Sequence, residues 1–185
     1  MGNVALGSME IDMRHKFSLA LVAAFAVLPL GSAIAQVGES GYSLPLALAL
    51  KAATKAIATC ASNGYLVSAV VVDTSGVIKL QAKGDHSTIA TTTSAFRKAY
   101  TVVTFGPIFK FETSGTFAAT AAKNPAGPAL GALPDIALLP GAVAIKFKDE
   151  IVAALGVGGS PGGDKDEICA QAGVASIKDE LAAVR

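Results

Sequence analysis

The chain has 185 residues, of which 52% are hydrophobic and 6% are aromatic, and its formal net charge is +1. A chain of this length, once any leader is removed, is expected to form one small domain. Because it has no basic excess and no tryptophan, it lacks the positive surface and the stacking side chains typical of nucleic-acid binding, so nucleic acid is not an expected partner.

The N-terminal region has the order of a secretory signal peptide. Arg14 and Lys16 precede an apolar run over residues 17–30, and Ala33 and Ala35 are small residues suited to a signal peptidase. The run is shorter than the about 20 apolar residues that span a membrane, which favours cleavage after Ala35 over an uncleaved anchor. The expected organisation is an upstream extension or misassigned start over 1–12, a signal peptide over 13–35, one domain over 36–185, and a periplasmic or secreted location.

The first half of the expected domain contains a helix, a β-hairpin and a second helix. Strong helix formers follow Pro45 and end at Asn63-Gly64, after which β-branched residues flank a polar turn at 73–76. The predicted elements are a helix from Ser43 to about Asn63, strands over 66–72 and 77–82, and a helix from Ser87 or Thr88 to about Val103.

The second half begins with an irregular segment. Gly106-Pro107 and three further proline-containing breaks interrupt the chain before residue 140, and only residues 113–123 favour a helix. A second hairpin over 142–147 and 151–157 then leads into a glycine-rich loop at 158–163. Asp164 or Asp166 is expected to cap the last helix, with Ile168, Ala172, Ala175 and Leu181 on one apolar face. Locally paired strands between helices predict a mixed α/β (α+β) domain with an antiparallel sheet.

Two cysteines, Cys60 and Cys169, lie in the expected mature chain. An exported protein meets an oxidising compartment in which a disulfide persists, whereas two separately buried thiols are the alternative. If the two are paired, the bridge joins the first helix to the last.

His86 is the only histidine after residue 35, so one subunit has too few histidines for a His₂ or His₃ zinc site. A catalytic serine triad is disfavoured because no Gly-x-Ser-x-Gly elbow is present. Haem iron, in contrast, accepts a single His or Tyr ligand, and its propionates favour nearby Lys or Arg. His86 and Tyr100 are therefore candidate iron ligands, and Arg97 and Lys98 candidate propionate partners. The alternative is that these are solvated residues of a loop and a helix face.

Two segments carry a family resemblance. Residues 84–88 (Gly-Asp-His-Ser-Thr) with residues 94–101, together with residues 156–173, resemble the GlcG/HbpS family of haem-binding proteins. The resemblance implies a profilin-like α/β sandwich with a central antiparallel sheet, assembly into homo-oligomers, and a site at His86, Arg97, Lys98, Tyr100 and Thr101. This chain reads Gly-Ala-Val-Ala-Ile at 141–145 where many relatives read Gly-Gly-Val-Pro-Ile, and its first helix has no histidine.

The resemblance predicts an exported haem-binding protein that binds or sequesters haem and is more likely not an enzyme. Two alternatives stay open at this point. One is an enzyme or accessory protein acting on a small organic acid, whose carboxylate would pair with Arg97 or Lys98. The other is an interaction module for a membrane sensor.

Overall fold

The computed structural model describes Gly2 and residues 40–183, and the latter lie in one compact unit, Ala35–Arg185. The predicted signal peptide over 13–35 lies outside the described residues. In the part of the chain that the structure describes, no helix is long and apolar enough to cross a membrane.

The unit contains six helices and four strands in its described part. They are α1 (Leu46–Ser62), β1 (Ser68–Asp73), β2 (Ile78–Lys83), α2 (Thr91–Phe109), α3 (Ser114–Ala121), α4 (Gly127–Gly131), β3 (Ala142–Phe147), β4 (Glu150–Gly158), α5 (Gly163–Ala175) and α6 (Lys178–Ala183).

The four strands form one antiparallel sheet in the order β2-β1-β4-β3. Both predicted hairpins are present, β1 with β2 and β3 with β4, and they form one sheet because β1 also pairs with β4. Val71, for example, lies opposite Leu80 on one side and Leu155 on the other. The predicted mixed α/β fold with a central antiparallel sheet is confirmed.

The side-chain alternation of β1 separates two apolar cores. Ala69 and Val71 point to the face covered by α1 and α5, and Val70 and Val72 point to the face covered by α2. All four side chains are fully buried. The molecule is therefore a three-layer sandwich in which the central strands are covered on both faces.

A disulfide joins the two outer helices of one layer. Cys60 of α1 and Cys169 of α5 are bonded, their Cα atoms are 5.6 Å apart, and both side chains are buried. The bridge connects residues 109 positions apart in sequence and so closes most of the domain into one loop.

Replacing both cysteines with serine is expected to lower the free energy of unfolding by about 2–4 kcal/mol, because the bridge restricts the unfolded chain. Urea unfolding followed by circular dichroism measures the change. Thiol titration of the unreduced, unfolded protein is expected to find no free thiol among Cys60 and Cys169. Two titratable thiols would contradict the bridge.

Helix α2 is longer than the sequence predicts. It begins at Thr91 rather than Ser87 or Thr88, and it continues through Pro107 to Phe109 instead of ending near Val103. Gly106 has no Cβ to clash with the proline ring, and Phe105 and Phe109 pack on Phe117. Tertiary packing therefore outweighs the local helix-breaking signal.

The orientation of α5 also differs from the prediction. Ile168 is 57% exposed, whereas the buried side of the helix carries Asp166, Cys169, Ala170 and Gly173. The predicted aspartate cap is wrong, because the N-cap is Gly162 without a side-chain hydrogen bond and Asp166 is buried within the helix. The disulfide at Cys169 determines which side of α5 faces α1.

Candidate functional site

The two segments that carry the sequence resemblance meet at one end of the sheet, where β1 begins and β2 and β4 end. Gly84 donates its N–H to the Val67 carbonyl at 3.1 Å. Gly159 packs against the backbone of Leu66 and Val67 and against the Thr91 side chain. We call this region the His86 end; it comprises the connection 64–67, the loop 84–91 and the glycine loop 158–163 with the first turn of α5.

His86 is exposed at the tip of its loop, in a left-handed conformation with φ of 60°. Histidine is among the few residues besides glycine that adopt this conformation readily. The next residue anchors the loop: Ser87 Oγ donates to the Gly84 carbonyl at 2.7 Å and lies 3.1 Å from Ser68 Oγ. His86 is thus exposed to solvent on a loop that the hydrogen bonds of Ser87 hold in place.

A buried hydroxyl cluster supports this loop. Ser68 Oγ lies 2.8 Å from Thr91 Oγ1, which donates to the Thr88 carbonyl at 2.8 Å. Ser68, Ser87 and Thr91 are almost completely buried. These hydroxyls satisfy one another and the backbone, so they hold the first strand, the loop and the start of α2 together.

Apolar and cationic side chains also lie at the His86 end. Leu66 is 49% exposed and Ile89 is 92% exposed, although both are large and apolar. Lys165, in the first turn of α5, has its Nζ 5.2 Å from the centroid of the Tyr65 ring. The His86 end therefore combines an exposed imidazole with apolar surface and an ammonium group.

Lys98 is not available at this surface. Its Nζ lies 2.7 Å from Asp166 Oδ2 and 3.1 Å from the Val157 carbonyl oxygen, and both side chains of the pair are less than 5% exposed. Asp166 Oδ1 also accepts the Ser160 N–H at 2.9 Å. The sequence predicts that Lys98 binds a haem propionate. In the structure its ammonium group is instead the buried counter-ion of Asp166.

Arg97 and Thr101 hold the segment between α4 and β3 against α2. Arg97 Nη2 donates to the Ile136 carbonyl at 2.7 Å, and Thr101 Oγ1 accepts the Ala137 N–H at 2.9 Å. Thr101 is completely buried. These contacts give both residues a structural role that sequence reasoning did not anticipate.

Tyr100 lies at the other end of the β1–β2 hairpin from His86. Its ring packs on Gly76 in the turn before β2 and has its centroid 5.5 Å from that of Phe96. Since β2 separates the two ends, Tyr100 and His86 are roughly 20 Å apart at about 3.3 Å per residue. The two predicted ligands of one subunit therefore do not reach the same iron atom.

A recess lies at this far end of the sheet. A cavity of about 210 Å³ is bordered by Tyr42, Asp73 and Glu150, among other residues. Burial raises the pKa of the Tyr42 phenol, and its hydroxyl has no hydrogen-bond partner among residues 40–183. Within the same range, no cluster of three or more His, Cys, Asp or Glu residues is arranged to hold a metal ion.

The fold is a mixed α/β sandwich of the profilin-like type, and the His86 end is the candidate site within it. A family model described as haem degrading protein HbpS-like matches residues 44–175. A crystal structure of HbpS is 34% identical, with a TM-score of 0.66, and the match covers 72% of this chain and 89% of that chain. The chain belongs to this HbpS-like family.

Further solved structures agree in fold. A double mutant of HbpS from Streptomyces reticuli is 34% identical with a TM-score of 0.66, the match covering 72% of this chain and 86% of that one. A complex of PduOC with haem is 17% identical with a TM-score of 0.65, covering 74% and 96% of the two chains, and it shows the fold alone. No curated protein matches the chain.

Proposed function

We propose that this protein binds haem at the His86 end, with the imidazole of His86 as an iron ligand. Membership of the HbpS-like family supports haem as the ligand class. The single observation that carries the site is the exposure of His86 on an anchored loop. An imidazole that is free to accept a bond is one of the ligands that haem iron takes from proteins.

The surroundings of His86 fit a porphyrin. A porphyrin presents a broad apolar ring, and Leu66 and Ile89 offer apolar surface that water would otherwise cover. The ring also carries carboxylates, which favour a neighbouring cation. When bound, haem would supply the iron chemistry, while this chain supplies the ligand and the binding surface.

Titration of the protein with haemin is expected to give a saturable Soret band. His86→Asn removes the imidazole but keeps a residue that tolerates the left-handed backbone, so its haemin Kd is expected to rise at least about tenfold. Tyr100→Phe is the matched control, because Tyr100 lies at the far end of the hairpin; its Kd is expected to stay unchanged.

The two variants distinguish His86 from Tyr100 as the iron ligand. Loss of the Soret band in Tyr100→Phe but not in His86→Asn would indicate that Tyr100 is the iron ligand instead. Absence of a saturable band in the unmutated protein would reject haem binding.

We also propose that the protein is exported and assembles with copies of itself. The order of residues 13–35 and the Cys60–Cys169 disulfide support a periplasmic or secreted location, since disulfides persist in oxidising compartments. Exposed Leu66 and Ile89 support assembly, because exposed apolar surface is typical of a contact between proteins. A role in binding or sequestering haem, and a membrane-sensor partner, stay predictions from the family resemblance.

A further inference from the structure

The lysines of the described chain differ in what their ammonium groups contact. Lys51, Lys98 and Lys146 each pair with a carboxylate, of Glu180, Asp166 and Glu112 respectively. Lys165 instead lies over the ring of Tyr65. Among residues 40–183, no carboxylate oxygen lies within 4.0 Å of Lys165 Nζ.

The segments that carry Lys165 and His86 both contact one short connection, residues 65–67. Tyr65, which holds Lys165, is followed by Leu66 and Val67. The loop that bears His86 is bonded to Val67 through Gly84, and the glycine loop leading to Lys165 packs on Leu66 and Val67 through Gly159. The two side chains therefore belong to the same end of the sheet, which also carries the exposed Leu66.

The acidic neighbours of Lys165 in the chain have other contacts. The carboxylate of Asp164 lies back against the backbone of Gly162, since a Cβ added there would be 2.5 Å from Asp164 Oδ1. Asp166 is buried in its pair with Lys98. The Lys165 charge is accordingly not neutralised by the acids of its own helix turn.

We infer that Lys165 is the group that binds a carboxylate of the ligand at the His86 end. This inference rests on the proposed haem binding and deepens it, since it assigns to Lys165 the role that the sequence predicts for Arg97 and Lys98. An ammonium group offers three donors to a carboxylate, and the Tyr65 ring keeps the flexible stem in place before the ligand arrives. Lys98 is excluded from the role because its charge is already paired in the interior.

The test compares two porphyrins in each variant. Haemin carries two free carboxylates, and its dimethyl ester carries none while keeping the iron and the ring. Lys165→Gln is expected to raise the Kd for haemin about two- to fivefold, the range of one partly exposed charged contact, and to leave the Kd for the ester unchanged. Lys165→Arg is expected to retain haemin affinity, and Lys123→Gln, at an exposed lysine just after α3, is the matched control.

Ionic strength gives a second readout. Added salt screens an exposed charge pair, so haemin binding should weaken with salt in the unmutated protein and respond less in Lys165→Gln. An unchanged haemin Kd in Lys165→Gln would overturn the inference while leaving the proposed function standing. An equal loss of both porphyrins would also overturn it, because that pattern indicates a structural effect. If the unmutated protein binds neither porphyrin, both the inference and the proposed function fail.

Discussion

Replacing Lys98 with methionine is expected to lower the free energy of unfolding by about 3–5 kcal/mol. The substitution leaves the Asp166 carboxylate in the interior without its counter-ion, and removing one partner of a buried ion pair carries a cost of that size. Methionine keeps the unbranched apolar stem of lysine, so the loss reports on charge rather than on volume. Urea unfolding followed by far-ultraviolet circular dichroism measures it.

A double variant separates the buried charge from the packing. Asp166→Asn removes the negative charge, and its amide oxygen can still accept the Ser160 N–H. Lys98→Met combined with Asp166→Asn is therefore expected to recover at least half of the stability lost in the single variant. A double variant as unstable as Lys98→Met alone would show that the charge of Asp166 is not the cause.

Gly156→Ala is expected to lower the free energy of unfolding by more than about 4 kcal/mol or to prevent folding. Gly156 lies in β4 directly under α2, and a Cβ there would be 2.0 Å from the Ala95 carbonyl oxygen and 3.0 Å from the Ala99 nitrogen. Both neighbours are helix backbone, so no side chain can rotate away to make room. Relief requires that α2 move off the sheet, which would expose the core on that face. Thermal and urea unfolding of the purified variant provide the measurement.

Gly131→Ala is the matched control for this effect. A Cβ at Gly131 would meet only the side chain of Leu138, at 3.0 Å from its nearest methyl carbon. That flexible side chain can move, so the control is expected to change stability by less than about 1 kcal/mol. If both variants were equally unstable, the close approach of α2 to β4 would not explain the result.

The hairpins of this domain are predictable because they depend on local sequence. The prediction of a strand over 142–147 coincides with β3, and the polar turn before residue 77 lies between β1 and β2 as expected. The ends of α2 are less predictable. Its extension past Pro107 depends on packing against Phe117. Phe117 belongs to another helix, so the sequence of α2 does not indicate this contact.

The candidate site likewise has a part that the sequence predicts and a part that it does not. His86 is recognisable in the sequence as the only histidine after residue 35, and its polar loop is where the structure exposes it. The family resemblance places Arg97, Lys98 and Thr101 in one site with His86, and the carboxylates of haem favour the two cations among them. A helix distributes successive side chains around its axis, so these residues contact different parts of the molecule. The role inferred for Lys165 has no signal in the local sequence, because it depends on contact with Tyr65, which is far away in sequence.

By itself the sequence determined the fold class, the two hairpins, the near-neutral charge and the presence of a single histidine after residue 35. Only the tertiary structure decided the pairing of β1 with β4, the buried side of α5 and the partner of Lys98. The physical reason is sequence separation: Lys98 and Asp166 are 68 positions apart, and the helices that carry them meet only when the sheet has formed. Periodicity indicates that a residue is buried or exposed on its own element, whereas the identity of its partner depends on how the elements pack.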